Sequence, residues 1–190
     1  LSRALRLDSG GSQGSQGSSS DDDSDRPGVD FVPHFADDDG SIHEDAINEL
    51  YERGAAEKCC GGDAPKYCPT ENILRSEVAK MIARAYDLPE ASEDHFSDDD
   101  SVGAEFEINA LAEAGITDGC ADGSFCPGLE IFLGEAAVLL ARAAGLDGAA
   151  DMGWRDAINA LRDEDVIRRT SCENDVSACA VEYVTRGQFA

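Results

Sequence analysis

Three groups of residues in this 190-residue chain stand at spacings that could do chemistry: paired cysteines, runs of carboxylates, and arginines set two residues ahead of a glutamate or glutamine. The cysteines pair along the sequence as Cys59 with Cys68, Cys120 with Cys126, and Cys172 with Cys179. Their spacings are not those of CxxC zinc sites, and His34, His43 and His95 supply no matching ligand set. Local disulfides are the economical reading, each closing a short loop for roughly 2 to 3 kcal/mol in the chain-entropy picture. Cys60 is the odd cysteine of the seven. Either Cys59 or Cys60 could pair with Cys68, and alignment of the three pairs favours Cys59. This cysteine usage points to an oxidising, extracytoplasmic compartment.

The carboxylate runs are Asp37-Asp38-Asp39-Gly40 with Glu44, and Asp98-Asp99-Asp100 with Glu105. They make Asp37, Asp39, Glu44, Asp98, Asp100 and Glu105 calcium candidates. The spacing departs from an EF-hand: with Gly40 as the sixth loop position, Phe35 stands first and Ala46 twelfth, where carboxylates are required. Helix N-termini that collect anions account for the same runs. His43-Glu44 lacks the second histidine of a zinc-protease helix, and no GxSxG elbow or glycine-rich phosphate loop is present. On these grounds the sequence predicts no enzymatic role within these residues and no cofactor, calcium being the single candidate.

The elements that must position these residues follow from a self-alignment. Phe35, Asp37, Asp39, Glu44, Ile47, Leu50, Gly54 and Cys59 recur 61 residues later, from Phe96 to Cys120. Cys68, Pro69, Glu77, Ala83, Arg84, Ala85 and Leu88 recur 58 later, from Cys126 to Leu146. A third, shorter copy begins near Trp154, where Ile158, Ala160 and Leu161 repeat Ile108, Ala110 and Leu111. Each fuller copy has two amphipathic segments. Ser41 and Glu44 have capping-box spacing, Ala46, Ile47, Leu50 and Tyr51 share a face, and Gly54 stands where a left-handed cap belongs, predicting a helix over 43–53. Val78, Met81, Ile82 and Ala85, and later Ala136, Leu139, Leu140 and Ala143, predict the second helix. Two such helices bury too little alone, so the copies must pack on one another.

Composition narrows the partners. A net charge of −25 and a pI near 4.1 exclude a nucleic-acid binder and disfavour anionic membranes. No stretch is apolar enough for membrane insertion. Residues 8–30 are Gly, Ser and Asp-rich and read as a disordered linker. Leu1 reads as an internal position of a longer surface protein, with 1–7 the tail of a preceding repeat.

The fuller copies follow the pattern FxDDDxS, AIxxLxxxGIxxGCxDGxFCP and RxExAxxxARAxxL, which resembles the S-layer homology domain in its cysteine-bearing Gram-positive version. The closest stretch is Gly119 through Pro127. The resemblance covers about 35–88, 96–146 and, less well, 152–190. It implies an all-α fold of tandem helix-loop-helix repeats in a pseudo-threefold array, divided as 31–92, 93–148 and a truncated 149–190. It also implies a secreted, noncatalytic anchor that binds a cell-wall polysaccharide in grooves between repeats, within a parent chain carrying further repeats. Arg75 and Arg186 occupy the family's (I/V)TRxE position, and the implied polymer contacts are Arg75, Glu77, Arg186, Trp154, Gly119, Asp122 and Gly123. The chain departs from the family at Leu133, where the second copy lacks the arginine. The aromatic of the first helix is missing from the first two copies, and Trp154 is displaced by one position. The alternative reading is a structural or protein-interaction surface module, calcium-stabilised, with degenerate wall-binding grooves.

Overall fold

The computed structural model describes residues 1, 34–59, 64–167 and 175–190. The linker at 8–30, residues 2–7 of the leading tail, Cys60 and Cys172 lie outside these. Among the described residues all regular structure is helical, as expected, and strand-like pairing is confined to isolated bridges.

The first helix, α1 (Glu44–Glu52), starts where two side chains satisfy the exposed N–H groups ahead of it. The Glu44 carboxylate accepts from the Gly40 N–H at 2.8 Å, and Ser41 Oγ accepts from the His43 N–H at 3.2 Å. The helix ends at Gly54, whose φ of 69° only glycine adopts without strain. Ile47 and Leu50 are fully buried, whereas Tyr51, expected on the same face, stays 43% exposed and leans on His34 and Phe35. The longer α2 (Arg75–Ala85) turns Val78, Met81 and Ile82 inward and packs on α3 (Glu105–Glu113). In the same way α4 (Leu133–Ala143) packs on α5 (Trp154–Asp163) after a 3-10 turn at Ala149–Asp151. Two short helices complete the described chain, α6 (Val176–Ala180) and α7 (Arg186–Phe189).

The starts of α2, α4 and α7 share one device. Glu77 Oε2 accepts from the Leu74 N–H (2.9 Å), Glu135 Oε2 from the Phe132 N–H (3.1 Å) and Gln188 Oε1 from the Thr185 N–H (3.0 Å). Only Thr185 has a hydroxyl to return the bond, from the Gln188 N–H at 3.3 Å. In the two glutamates the second oxygen is left available for another partner.

The segments leading into these helices meet in a closed ring of backbone hydrogen bonds. Ile73 N–H donates to Val184 O (2.9 Å), Val184 N–H to Ile131 O (3.2 Å), and Ile131 N–H to Ile73 O (3.2 Å). A second ring surrounds it, with Arg75 N–H on Leu129 O, Leu133 N–H on Glu182 O, and Arg186 N–H on Glu71 O, at 2.8–2.9 Å. Ile73 and Ile131 are fully buried, so each N–H and C=O here needs a protein partner, and the rings supply them.

The Cys loops are held by a carboxylate. Asp37 accepts from the N–H groups of Tyr67 (2.7 Å) and Cys68 (2.9 Å), and Asp98 from those of Phe125 (2.8 Å) and Cys126 (2.9 Å). Cys68 and Cys126 have φ of 59° and 60°, a conformation costly for a residue with a Cβ. Each is also tied by a disulfide, Cys59–Cys68 and Cys120–Cys126, which settles the choice between Cys59 and Cys60. Cys179 is disulfide-bonded as well.

Replacing Asp98 by Ala removes two charge-assisted acceptors and is expected to lower unfolding free energy by about 2–4 kcal/mol. Asp100→Ala, at an exposed position, should stay within about 0.5 kcal/mol of wild type. Urea denaturation of the oxidised protein checks both.

Candidate functional site

Two clefts lie in matching registers along α2 and α4. The larger, about 410 Å³, is lined along α4 by Gly134, Glu135, Val138 and Leu139, across from Trp154 at the start of α5 and Ser177, Ala180 and Val181 at α6. Gly119 and Arg75 also line it. The smaller, about 110 Å³, runs along the corresponding Ser76, Glu77, Lys80 and Met81, with Arg186 in the position of Arg75. Its narrowness has visible causes in the sequence. Lys58 stands where the larger cleft has Gly119, Lys80 where it has Val138, and Ala104 where it has Trp154.

Small residues keep the larger cleft open. A Cβ on Gly134 would come within 3.2 Å of both the Ala180 carbonyl and Trp154 Cβ. Gly119 has φ of 85°, and a Cβ there would sit 2.4 Å from the Ser124 carbonyl. Trp154 is 39% exposed, and Phe132, stacked on Tyr183 with centroids 4.6 Å apart, adds a second half-exposed ring to the lining.

Of the residues expected to contact a polymer, the structure thus brings Arg75, Gly119 and Trp154 to one cleft and Glu77 and Arg186 to the other. Asp122 and Gly123 lie in the exposed turn at Ala121–Ser124 and line neither.

Both arginines are buried and work first as ties. Arg186 donates to Tyr67 O (2.8 Å), to Glu57 O (2.9 Å) and to the Glu77 carboxylate, with its guanidinium 4.7 Å from the Tyr67 ring centroid. Burial pushes the Tyr67 hydroxyl well above its ordinary pKa, so it remains a neutral donor, here to Arg186 O at 3.1 Å. Arg75 repeats the arrangement on Phe125 O (2.9 Å), Glu135 (2.9 Å) and the Phe125 ring (5.0 Å). One difference matters: the Arg186 Nη2 is taken by a backbone carbonyl, whereas the Arg75 Nη2 has no protein acceptor among the described residues. Leu133 occupies the third such position, and at the registers that would supply its ring and its acid stand Ala178 and Gln188. The arginine, the aromatic and the glutamate are lost together there.

Three of the six calcium candidates are otherwise engaged, and Asp39, Asp100 and Glu105 are exposed. Asp37 and Asp98 hold the Cys loops, Glu44 caps α1, and among the described residues no group of three or more His, Cys, Asp or Glu side chains is gathered for a metal ion. The unexpected acids are Asp38 and Asp99, both fully buried. Neither oxygen of Asp38 has a hydrogen-bond partner, while Asp99 has one, Asn109 Nδ2 at 3.1 Å on Oδ2. Burial raises both pKa values, with neighbouring acids adding to the effect. The Asp runs pointed to these positions, but nothing in their sequence distinguished a buried member from an exposed one.

No family model matches the chain. An endoglucanase from Bacillus sp. (strain KSM-635) is 33% identical over 97 residues, which cover 51% of this chain and 10% of that protein. The expectation of a chain with no enzymatic role is overturned by this match, because its named relative is an enzyme. The reasoning from missing motifs fails for a physical reason. Glycoside cleavage needs two carboxylates brought together by tertiary structure, without a short signature, and this chain has 40 acids. Disulfides, typical of extracellular proteins, accompany the absence, among the described residues, of any helix long and apolar enough to cross a membrane.

Arg186→Ala should lower unfolding free energy by about 2–4 kcal/mol, since it strands a carboxylate and two carbonyls, and Leu133→Arg should bring no gain. Both follow from urea denaturation. A raised carboxyl pKa stabilises the fold below the unfolded value and loses that contribution as pH rises through the folded value. Asp38→Asn and Asp99→Asn are therefore expected to raise the melting temperature at pH 7 and to leave it unchanged below about pH 3.5, as followed by circular dichroism.

Proposed function

We propose that the chain is a cell-surface anchoring module of S-layer-homology type that binds a cell-wall polysaccharide in the Trp154 cleft. The observation that carries this reading is the meeting, in one 410 Å³ cleft, of an indole, a guanidinium with an unmet donor and glycine-kept space. Sugar rings present an apolar face to an aromatic and hydroxyl or acid groups to a fork of N–H donors, so these parts suit a glycan. Three repeats, 31–92, 93–148 and 149–190, related by a pseudo-threefold axis, would account for the closed backbone rings at Ile73, Ile131 and Val184. The relative named for glucan cleavage supports a carbohydrate-related setting.

The two clefts differ in this reading. The 110 Å³ cleft has no aromatic in its lining and each nitrogen of its arginine is already hydrogen-bonded, so Arg186 serves the fold there. A larger depression, about 730 Å³, lies between residues 90–94 and the start of α3. It is walled by Glu90, Glu93, Asp94, Asp100, Glu105 and Glu107 and repels an anionic polymer.

The test is co-sedimentation of the oxidised chain with isolated cell-wall sacculi before and after removal of the secondary polymer. Binding that disappears with the polymer, and that Trp154→Ala weakens at least tenfold, is the expected result. A folded protein that stays in the supernatant with intact sacculi rejects the reading.

A further inference from the structure

The depression of about 730 Å³ between residues 90–94 and the start of α3 differs in kind from both clefts. Of its acids, Glu107 is neutralised by Arg84 at 2.7 Å. Glu90, Glu93, Asp94, Asp100 and Glu105 are exposed and have no lysine, arginine or histidine partner among the described residues. A further acid lies behind this wall. Asp99 is fully buried, and Asn109, itself part of the lining, donates to its Oδ2 at 3.1 Å. The other oxygen, Oδ1, is equally shielded from solvent and has no hydrogen-bond partner among the described residues. Burial raises the pKa of Asp99, and Asp94, Glu105 and Asp100 raise it further, so the orphaned carboxyl lies in the combined field of three walls of the depression. One aromatic, Phe106, joins the lining with 48% of its surface exposed.

We propose that this depression binds an extended organic cation with spaced ammonium groups, carried either by a free polyamine or by the lysine side chains of one peptide segment. The spacing of the acids selects this chemistry. Among the described residues no three of them are gathered closely enough for a single metal ion, so a compact ion cannot collect them, whereas separated ammonium groups can meet them one at a time. Phe106 offers a ring face to an ammonium and an apolar surface to the methylene stems between charges. A cation held against Asn109 also relieves the repulsion among Asp94, Asp99, Asp100 and Glu105, which nothing else in the described chain offsets. The dipole at the start of α3 opposes this with roughly half a positive charge, too little to cancel five unpaired carboxylates. The depression is separate from the Trp154 cleft and shares no lining residue with it, so this site stands or falls independently of the wall-polymer reading.

A chain of net charge −25 attracts any cation, and the experiment has to separate a built site from that general field. Isothermal titration calorimetry of the oxidised chain at physiological salt, with spermine and separately with tetralysine, makes the separation. The expected result is saturable binding that falls at least tenfold in the double variant Glu93→Gln, Glu105→Gln and about threefold in Phe106→Ala. The double variant Asp122→Asn, Glu130→Gln removes the same charge at exposed positions outside the depression and should bind within twofold of wild type. Asp99→Asn should bind at least threefold more weakly while remaining folded by circular dichroism. Binding of tetralysine alone assigns the charges to a polypeptide, and binding of spermine alone to a free polyamine. Equal losses in the two double variants, or no saturable binding of either probe to folded wild type, would overturn the proposal.

Discussion

The backbone ring through Ile73, Ile131 and Val184 is the constraint on which the rest of the arrangement hangs. Three segments, each just ahead of a helix, are brought together where none can reach water. Every N–H and C=O among them is therefore satisfied only if all three are present in the correct register. The following helix starts are then fixed in direction, and with them the glutamates at the third helical position and the arginines at the first. Glu77 and Glu135 each serve twice, capping their own helix with one oxygen and receiving an arginine from elsewhere in the chain with the other.

The local stiffness of each unit comes from a different source. A carboxylate two residues after a buried phenylalanine reaches across to two backbone N–H groups, holding a cysteine in a left-handed conformation that a disulfide also ties. This frees the short helices from having to be stable alone, which helices of nine to eleven residues are not. The loops they fix carry Gly119 and the neighbours of Glu57, and so set the width of the two clefts. Differences in cleft size then come from a few side chains. Lysine replaces glycine or valine in the narrow one, and alanine replaces tryptophan.

Function enters where these constraints are locally relaxed. The arginines at the helix starts are too deeply engaged to be simple ligand-binding residues, and all three nitrogens of Arg186 are hydrogen-bonded. Arg75 keeps one nitrogen without a protein acceptor among the described residues, in the wider cleft beside the chain's single indole. The buried acids Asp38 and Asp99 show the opposite tendency, since burial raises their pKa values while Asp38 has no hydrogen-bond partner among the described residues and Asp99 has only Asn109.

Much of this was legible in the sequence. The 61- and 58-residue offsets, the helix periods, Gly54 and the Cys59–Cys68 and Cys120–Cys126 pairings each depend on residues close in the chain, whose local chemistry leaves a pattern. Periodicity also identified the buried faces, with Tyr51 as the exception because its ring found partners at the rim. What tertiary structure alone decided concerns residues far apart. The Asp98 carboxylate meets the N–H groups of Phe125 and Cys126, and Arg75 meets Glu135. Gly119, Trp154 and Ser177 become walls of one cleft through the packing of α4 against α5 and α6. Spacing records which groups a turn or helix brings together, whereas the partner of a long side chain depends on how separate helices pack, and that geometry has no local signature.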